Sequence, residues 1–240
     1  MAEQTQGEAQ MTSMAQRLAN IHASIGDALA ACGRKDTVQL MAVSKTHPYE
    51  AVEEAVSNGQ QLFGENRVQE ILAKFPEERN GYELHLIGHL QTNKVRKVVG
   101  AVDAIDSVDS LRLARLISKE AQRIGKTMPI LLEWNTSGEE AKSGFTDETE
   151  YFTLLEEASG LPGIEIRGLM TIGPLVDDEK TVRNAFADLR RLAEKSKKEF
   201  PHLSFATLSM GMSQDYVWAI KEGSTVVRIG TAIFGGREYR

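Results

Sequence analysis

From Met14 onward, Met14, Leu18, Ile21, Ile25, Ala28 and Leu29 recur at three- and four-residue spacing, which predicts one amphipathic helix. Eight short apolar runs follow, at residues 40–44, 61–64, 84–88, 101–106, 130–135, 166–171, 205–210 and 226–229. Helical patterns lie between them at 48–57, 68–75, 92–99, 110–123, 147–158, 178–199 and 213–221. The clearest is 178–199, where Val182, Ala185, Phe186, Leu189, Leu192 and Ala193 form one apolar stripe. Such alternation of strand and helix calls for parallel strands joined by helical crossovers. Eight units predict an α/β fold, a single closed (β/α)8 TIM-type barrel preceded by one extra N-terminal helix. The rival, an open doubly wound sheet, usually carries a glycine-rich turn after its first strand. Here that strand runs into Lys45-Thr46-His47-Pro48, and the barrel is the better reading. Residues 1–10 are polar and pattern-free and are expected to form a loose tail, with 11–240 as one domain without linkers or repeats.

Composition narrows the function classes. The formal charge of −6 argues against general nucleic-acid binding, which needs a clustered basic surface. A single cysteine, Cys32, excludes an intrachain disulfide and suits a reducing compartment. No apolar run approaches the roughly 20 residues of a membrane span. The N-terminus lacks an apolar signal core, so a cytoplasmic protein is expected. His22, His47 and His202 read as surface or packing residues, and Trp134, Trp218 and the methionines as core. No set of His, Cys and carboxylates shows metal-ligand spacing.

The first strand, Met41-Ala42-Val43-Ser44-Lys45, ends in a lysine. Alternate residues of a strand share a face, so Lys45 points the same way as Val43 and Met41. If that face is the barrel interior, the ammonium sits in a half-dry site where its lone pair becomes available to an aldehyde. An isolated lysine would be read only as a strand end reaching water. Pro48 suits the first turn of the next helix.

Active sites of such barrels lie at the C-terminal strand ends, with a phosphate commonly bound after strands seven and eight. Strand seven ends in Leu208-Ser209-Met210-Gly211-Met212-Ser213, with Ser213 a candidate N-cap. Strand eight ends in Val227-Arg228-Ile229-Gly230-Thr231, where Gly230 permits close backbone approach and Thr231 adds a hydroxyl and an N–H. Arg228 should face the interior, because Val227 and Ile229 take the other face. Once buried it needs a partner, either an internal carboxylate such as Glu133 or a ligand atom. An imine-forming lysine beside a phosphate site points to a phosphorylated aldehyde, pyridoxal 5′-phosphate first and a sugar phosphate as the competitor.

Six short motifs stand in order: 42–46 (Ala-Val-Ser-Lys-Thr), 63–67 (Phe-Gly-Glu-Asn-Arg), 85–94, 168–172 (Gly-Leu-Met-Thr-Ile), 208–213 and 227–235. Together they resemble the pyridoxal-phosphate homeostasis protein family, single-barrel relatives of the N-terminal domain of alanine racemase. The resemblance implies that Lys45 holds the cofactor as an internal aldimine and that Arg228 approaches the pyridine nitrogen. An arginine there keeps its proton, leaving the ring a poorer electron sink. It also implies that Ser209, Gly230 and Thr231 hold the phosphate with Gly211 nearby. Asn66 and His89 end strands two and three, a position from which both can line the pocket; His89 alone reads equally as a hydrogen-bonded loop histidine. Residues 135–138 and 142–144 resemble the segment after strand five of the racemase barrel and are expected to form a loop at the pocket mouth.

Alanine racemase, by the same resemblance, adds a β-rich domain that supplies a tyrosine base and builds the dimer. Racemisation needs proton transfer on both faces of the substrate carbon. The chain ends at Arg240, with Tyr239 just before it, so the second base and the dimer are both expected to be missing. The expectation is therefore a monomeric, non-catalytic protein that buffers pyridoxal phosphate or delivers it to apo-enzymes. Two alternatives stay open: a weak amino-acid racemase, and a Schiff-base aldolase acting on sugar phosphates.

Overall fold

The eight apolar runs are strands of one closed parallel barrel, in the order β1 to β8 with β8 paired back to β1. The computed structural model describes residues 12–139 and 143–236. The expected tail, Lys142 and Tyr239 lie outside the described residues. The strands are β1 (Gln39–Val43), β2 (Leu62–Glu65), β3 (Glu83–Leu86), β4 (Ala104–Val108), β5 (Met128–Glu133), β6 (Ile164–Met170), β7 (Thr207–Met212) and β8 (Val226–Ile229). The helices are α1 (Met14–Ala31), α2 (Tyr49–Ser57), α3 (Val68–Lys74), α4 (Val95–Val98), α5 (Leu111–Arg123), α6 (Glu148–Ala158), α7 (Glu179–Glu199), α8 (Tyr216–Lys221) and α9 (Thr231–Phe234).

Alternation within the strands sorts side chains onto two faces. Leu40, Ala42, Phe63, Leu84, Val227 and Ile229 join the main core between sheet and helices. Met41, Val43, Leu62, Ile87 and Val226 form a second, smaller apolar cluster inside the barrel. A Cβ at Gly64 would stand 2.6 Å from Met41 Sδ, so this glycine makes room for the methionine. Polar groups share this interior, with His85 bonded to Asp106 and with Ser209 bonded to Arg228 beside the cluster.

Several boundaries differ from the sequence pattern for local reasons. Strand β4 starts at Ala104, three residues later than the apolar run. Asp103 before it is occupied instead, its Oδ2 accepting the Leu84 N–H at 2.8 Å and pairing with Arg79. The segment expected as a helix at 92–99 is a 3₁₀ turn, Thr92–Lys94, followed by the short α4. Ser213 does not cap α8: the strand runs on to Met212, and Asp215 takes the Met212 N–H at 2.5 Å before the helix opens at Tyr216. Pro48 stands at the N-cap of α2 rather than inside its first turn. The stripe of α1 packs mainly on α8 and α9, on the flank of the barrel rather than across its floor. Tyr216 Oη donates to Ser24 Oγ at 2.8 Å, and Arg17 Nε to the Ile233 carbonyl at 2.5 Å. The N-terminal helix thus braces the two short helices that follow β7 and β8.

Candidate active site at the C-terminal mouth of the barrel

Lys45 lies two residues past the end of β1, half-buried, on a tight bend. Thr46 beside it is the one described non-glycine residue at positive φ, +67°. The neighbouring strand β8 places Arg228 in register with Met41, so Arg228 and the face that leads to Lys45 share the barrel interior. Gly230 closes the gap between these strands: a Cβ there would stand 2.9 Å from the Val43 carbonyl oxygen.

Arg228 is only 5% exposed, and neutral oxygens accept its hydrogen bonds rather than Glu133, one of the two kinds of partner expected. Nη1 donates to the Ser209 carbonyl at 2.7 Å and to Ser209 Oγ at 2.8 Å, and Nη2 donates to the Thr171 carbonyl at 2.8 Å. Burial pushes its pKa down, while the charges of Asp106, Asp215 and Glu133 push back. Ser209 is fully buried, and its hydroxyl is engaged by the arginine. Gly211, at φ +96°, fits closely under α8: a Cβ would meet Ala219 Cβ at 2.6 Å and Tyr216 Cα at 2.9 Å. Thr231 is exposed at the start of α9.

Across the mouth, Asn66 follows β2 and is seated by Gly88, where a Cβ would overlap the Asn66 carbonyl at 2.2 Å. His89 follows β3, exposed, with Nδ1 3.1 Å from Asp109 Oδ2 after β4. Glu133 at the end of β5 accepts from Ser143 Oγ at 2.9 Å. Burial holds its carboxyl above the usual range; the Ser143 bond opposes this, Asp109 adds to it, and Arg228 and His89 oppose it. The segment beyond turns back so that the Phe145 N–H donates to the Glu133 carbonyl at 2.9 Å, which brings Ser143 over Glu133. Thr136 and Thr171 join hydroxyls there at 2.9 Å. His47 lies against the Phe234 ring at 5.2 Å, while Trp134 and Trp218 are partly buried against the main core.

The C-terminal ends of β1, β2, β3 and β8 thus carry Lys45, Asn66, His89, Gly230 and Thr231, with Arg228 within β8 and Ser209 and Gly211 within β7. Sequence reasoning passed over Asp109, Asp106, His85, and the buried pair Glu65 and Lys74. A signal existed for the pair: Lys74 stands three residues after Ile71, on the apolar face of α3. Among the described residues, no group of three or more His, Cys, Asp or Glu is disposed to hold a metal ion. Among the described residues no helix is long and apolar enough to cross a membrane.

The profile described as "Alanine racemase, N-terminal domain" matches residues 17–238. The pyridoxal phosphate homeostasis protein of Vibrio alginolyticus is 42% identical over 237 residues, covering 95% of this chain and 100% of that protein. Its counterpart in Escherichia coli is 38% identical, covering 95% and 99%. Among solved structures, PipY of Synechococcus elongatus without PLP superposes with a TM-score of 0.85 at 38% identity, covering 93% of this chain and all of that one. PipY with PLP bound gives 0.80 at 37% identity, with the same coverage. Alanine racemase of Clostridium difficile, at 15% identity and a TM-score of 0.68, shares the fold. The chain belongs to the pyridoxal phosphate homeostasis protein family, whose barrel is that of the alanine racemase N-terminal domain.

Proposed function

We propose that this protein binds pyridoxal 5′-phosphate at the barrel mouth and serves cofactor homeostasis in the cytoplasm, buffering the cofactor or delivering it to apo-enzymes. The observation that carries this reading is the seating of Gly230 on the Val43 carbonyl, which sets the end of β8 against the strand that bears Lys45. The residues present fit the group. A half-buried primary amine, a buried guanidinium and two glycine-bearing strand ends stand around one opening. Pyridoxal phosphate supplies an aldehyde that condenses reversibly with an amine, releasing water.

Lys45 is the amine that meets the aldehyde. Arg228 offers a guanidinium, held by Ser209 and Thr171, that would face the ring nitrogen and would not release a proton to it. Gly230 and Thr231, with Gly211 nearby, would hold the phosphate through backbone N–H groups and the Thr231 hydroxyl. Asn66 and His89 line the opposite wall. PipY, named as holding PLP, supports this reading by its similarity.

A regulatory role is favoured over racemisation by the tyrosines. Tyr49 and Tyr82 hydroxyls pair at 3.3 Å, Tyr151 pairs with Ser196 at 2.8 Å, and Tyr216 with Ser24 at 2.8 Å. None of these four described tyrosines is left as a second-face base. The His89–Asp109 pair at the mouth favours a second reading, weak amino-acid racemisation with His89 as the base. Turnover of an L- or D-amino acid, lost in both Lys45→Ala and His89→Ala, would establish that reading; loaded protein without turnover supports the carrier. Colourless protein that cleaves a sugar phosphate would replace both with an aldolase.

A further inference from the structure

The bend that carries Lys45 is held from behind by α3. Beyond Val43 the chain alternates once more, so Ser44 turns away from the interior, towards this helix. Lys74 Nζ donates there to the Ser44 carbonyl at 2.9 Å and the His47 carbonyl at 3.2 Å. The Lys74 side chain is 8% exposed and is ion-paired with Glu65, which is fully buried at the end of β2. Ser44 Oγ donates to the same Glu65 carboxylate at 2.7 Å. One turn earlier on α3, Glu70 Oε1 accepts the Thr46 N–H at 2.5 Å. The His47 N–H closes the turn on the Ser44 carbonyl at 3.1 Å.

Three backbone groups around Lys45 are thus fixed by side chains of a single helix. Thr46 between them holds the left-handed conformation, which a β-branched residue rarely adopts. Such a conformation persists where its surroundings over-determine it. Ion pairs this deeply buried seldom outperform apolar packing as stabilisers, so a role in fixing geometry accounts better for this one.

We propose that Lys74, neutralised by Glu65, is a positioning residue for Lys45. It fixes the 44–47 bend and thereby the angle at which the Lys45 amine enters the mouth, without touching the ligand. The inference rests on the reading of Lys45 given above. Its test mixes pyridoxal phosphate with wild type, Lys74→Met and Glu70→Ala, following imine absorbance and mapping the borohydride-reduced adduct by peptide mass. Binding of pyridoxine 5′-phosphate, which has no aldehyde, reports the pocket alone, and hydrogen exchange at 44–47 in the ligand-free protein reports the bend.

Imine formation in Lys74→Met is expected to slow on the order of tenfold to a hundredfold, the range for a misplaced reacting group. Pyridoxine phosphate affinity stays unchanged, and exchange at 44–47 rises. Glu70→Ala, on a more exposed side chain, shows the same split to a smaller degree and decides the matter if Lys74→Met does not fold. Wild-type imine rates in both variants, or equal loss of pyridoxine phosphate binding, would overturn the role. A wild type that forms no imine at Lys45 overturns the ligand reading itself, and with it this role. A wild type that does, matched by its variants, overturns this role alone.

Discussion

The lysine side and the arginine side of the mouth are held by different kinds of contact. Lys45 rides on a bend fixed by charged side chains, Lys74, Glu65 and Glu70, behind the first strand. Arg228 is held by neutral oxygens of Ser209 and Thr171, and the strand ends around it by glycines seated on backbone. The lysine side should therefore respond to charge removal and pH, and the arginine side to added volume. A reactive amine gains from a fixed aim, whereas a guanidinium facing a ring gains from a permanent charge in a rigid slot.

The largest effect should come from breaking the charged side. Lys74→Met leaves Glu65 buried without its partner and should cost about 3–5 kcal/mol in denaturant unfolding at neutral pH. Burial already holds the Glu65 carboxyl above its usual range, with Lys74 opposing. Without the lysine it takes up a proton more readily, so the cost should shrink as pH falls towards 5. A pH-independent cost would contradict the charged clamp.

On the arginine side the corresponding change is steric. Gly211→Ala puts a methyl group 2.6 Å from Ala219 Cβ at a backbone φ of +96°. It should cost about 3 kcal/mol, equally at pH 5 and pH 8. A pH-dependent cost here would blur the comparison.

A smaller test lies elsewhere inside the barrel. His85 Nδ1 lies 3.1 Å from Asp106, and Nε2 lies 3.6 Å from Glu83. Burial opposes the imidazolium, but Asp106 and Glu83 together outweigh it and hold the pKa up at about 9, above the ordinary 6.5. A raised pKa stabilises the fold fully below pH 6.5, and that stabilisation is lost as pH rises through 9. The stability gap between wild type and His85→Gln should narrow by about 2 kcal/mol over that window. Parallel pH profiles would remove His85 from the account.

The smallest effect is expected for Arg17→Ala, which frees the Ile233 carbonyl of α9. It should lower stability by about 1 kcal/mol and weaken pyridoxine phosphate binding slightly by calorimetry. No change in either would separate α1 from the phosphate side.

The barrel was legible because each strand reads as an apolar run and each long helix as a stripe. Helix α9 was not, since Thr231–Phe234 is a single turn and shows no period. The position of α1 was equally hidden: a stripe announces burial but not the surface it meets. Arg228 could be placed inside the barrel by alternation alone. Ser209 shows the limit of that logic, because alternation put it inside the barrel but could not show its hydroxyl engaged by Arg228. The Lys74 clamp joins three segments distant in sequence, and no local pattern reports such a meeting.

The most direct test of the central claim is the absorption spectrum of the purified protein mixed with pyridoxal phosphate, before and after borohydride, beside Lys45→Ala. Wild type should show a yellow imine band that borohydride removes and a reduced adduct on the Lys45 peptide, and the variant neither. A colourless wild type, or an adduct unchanged by Lys45→Ala, would contradict it.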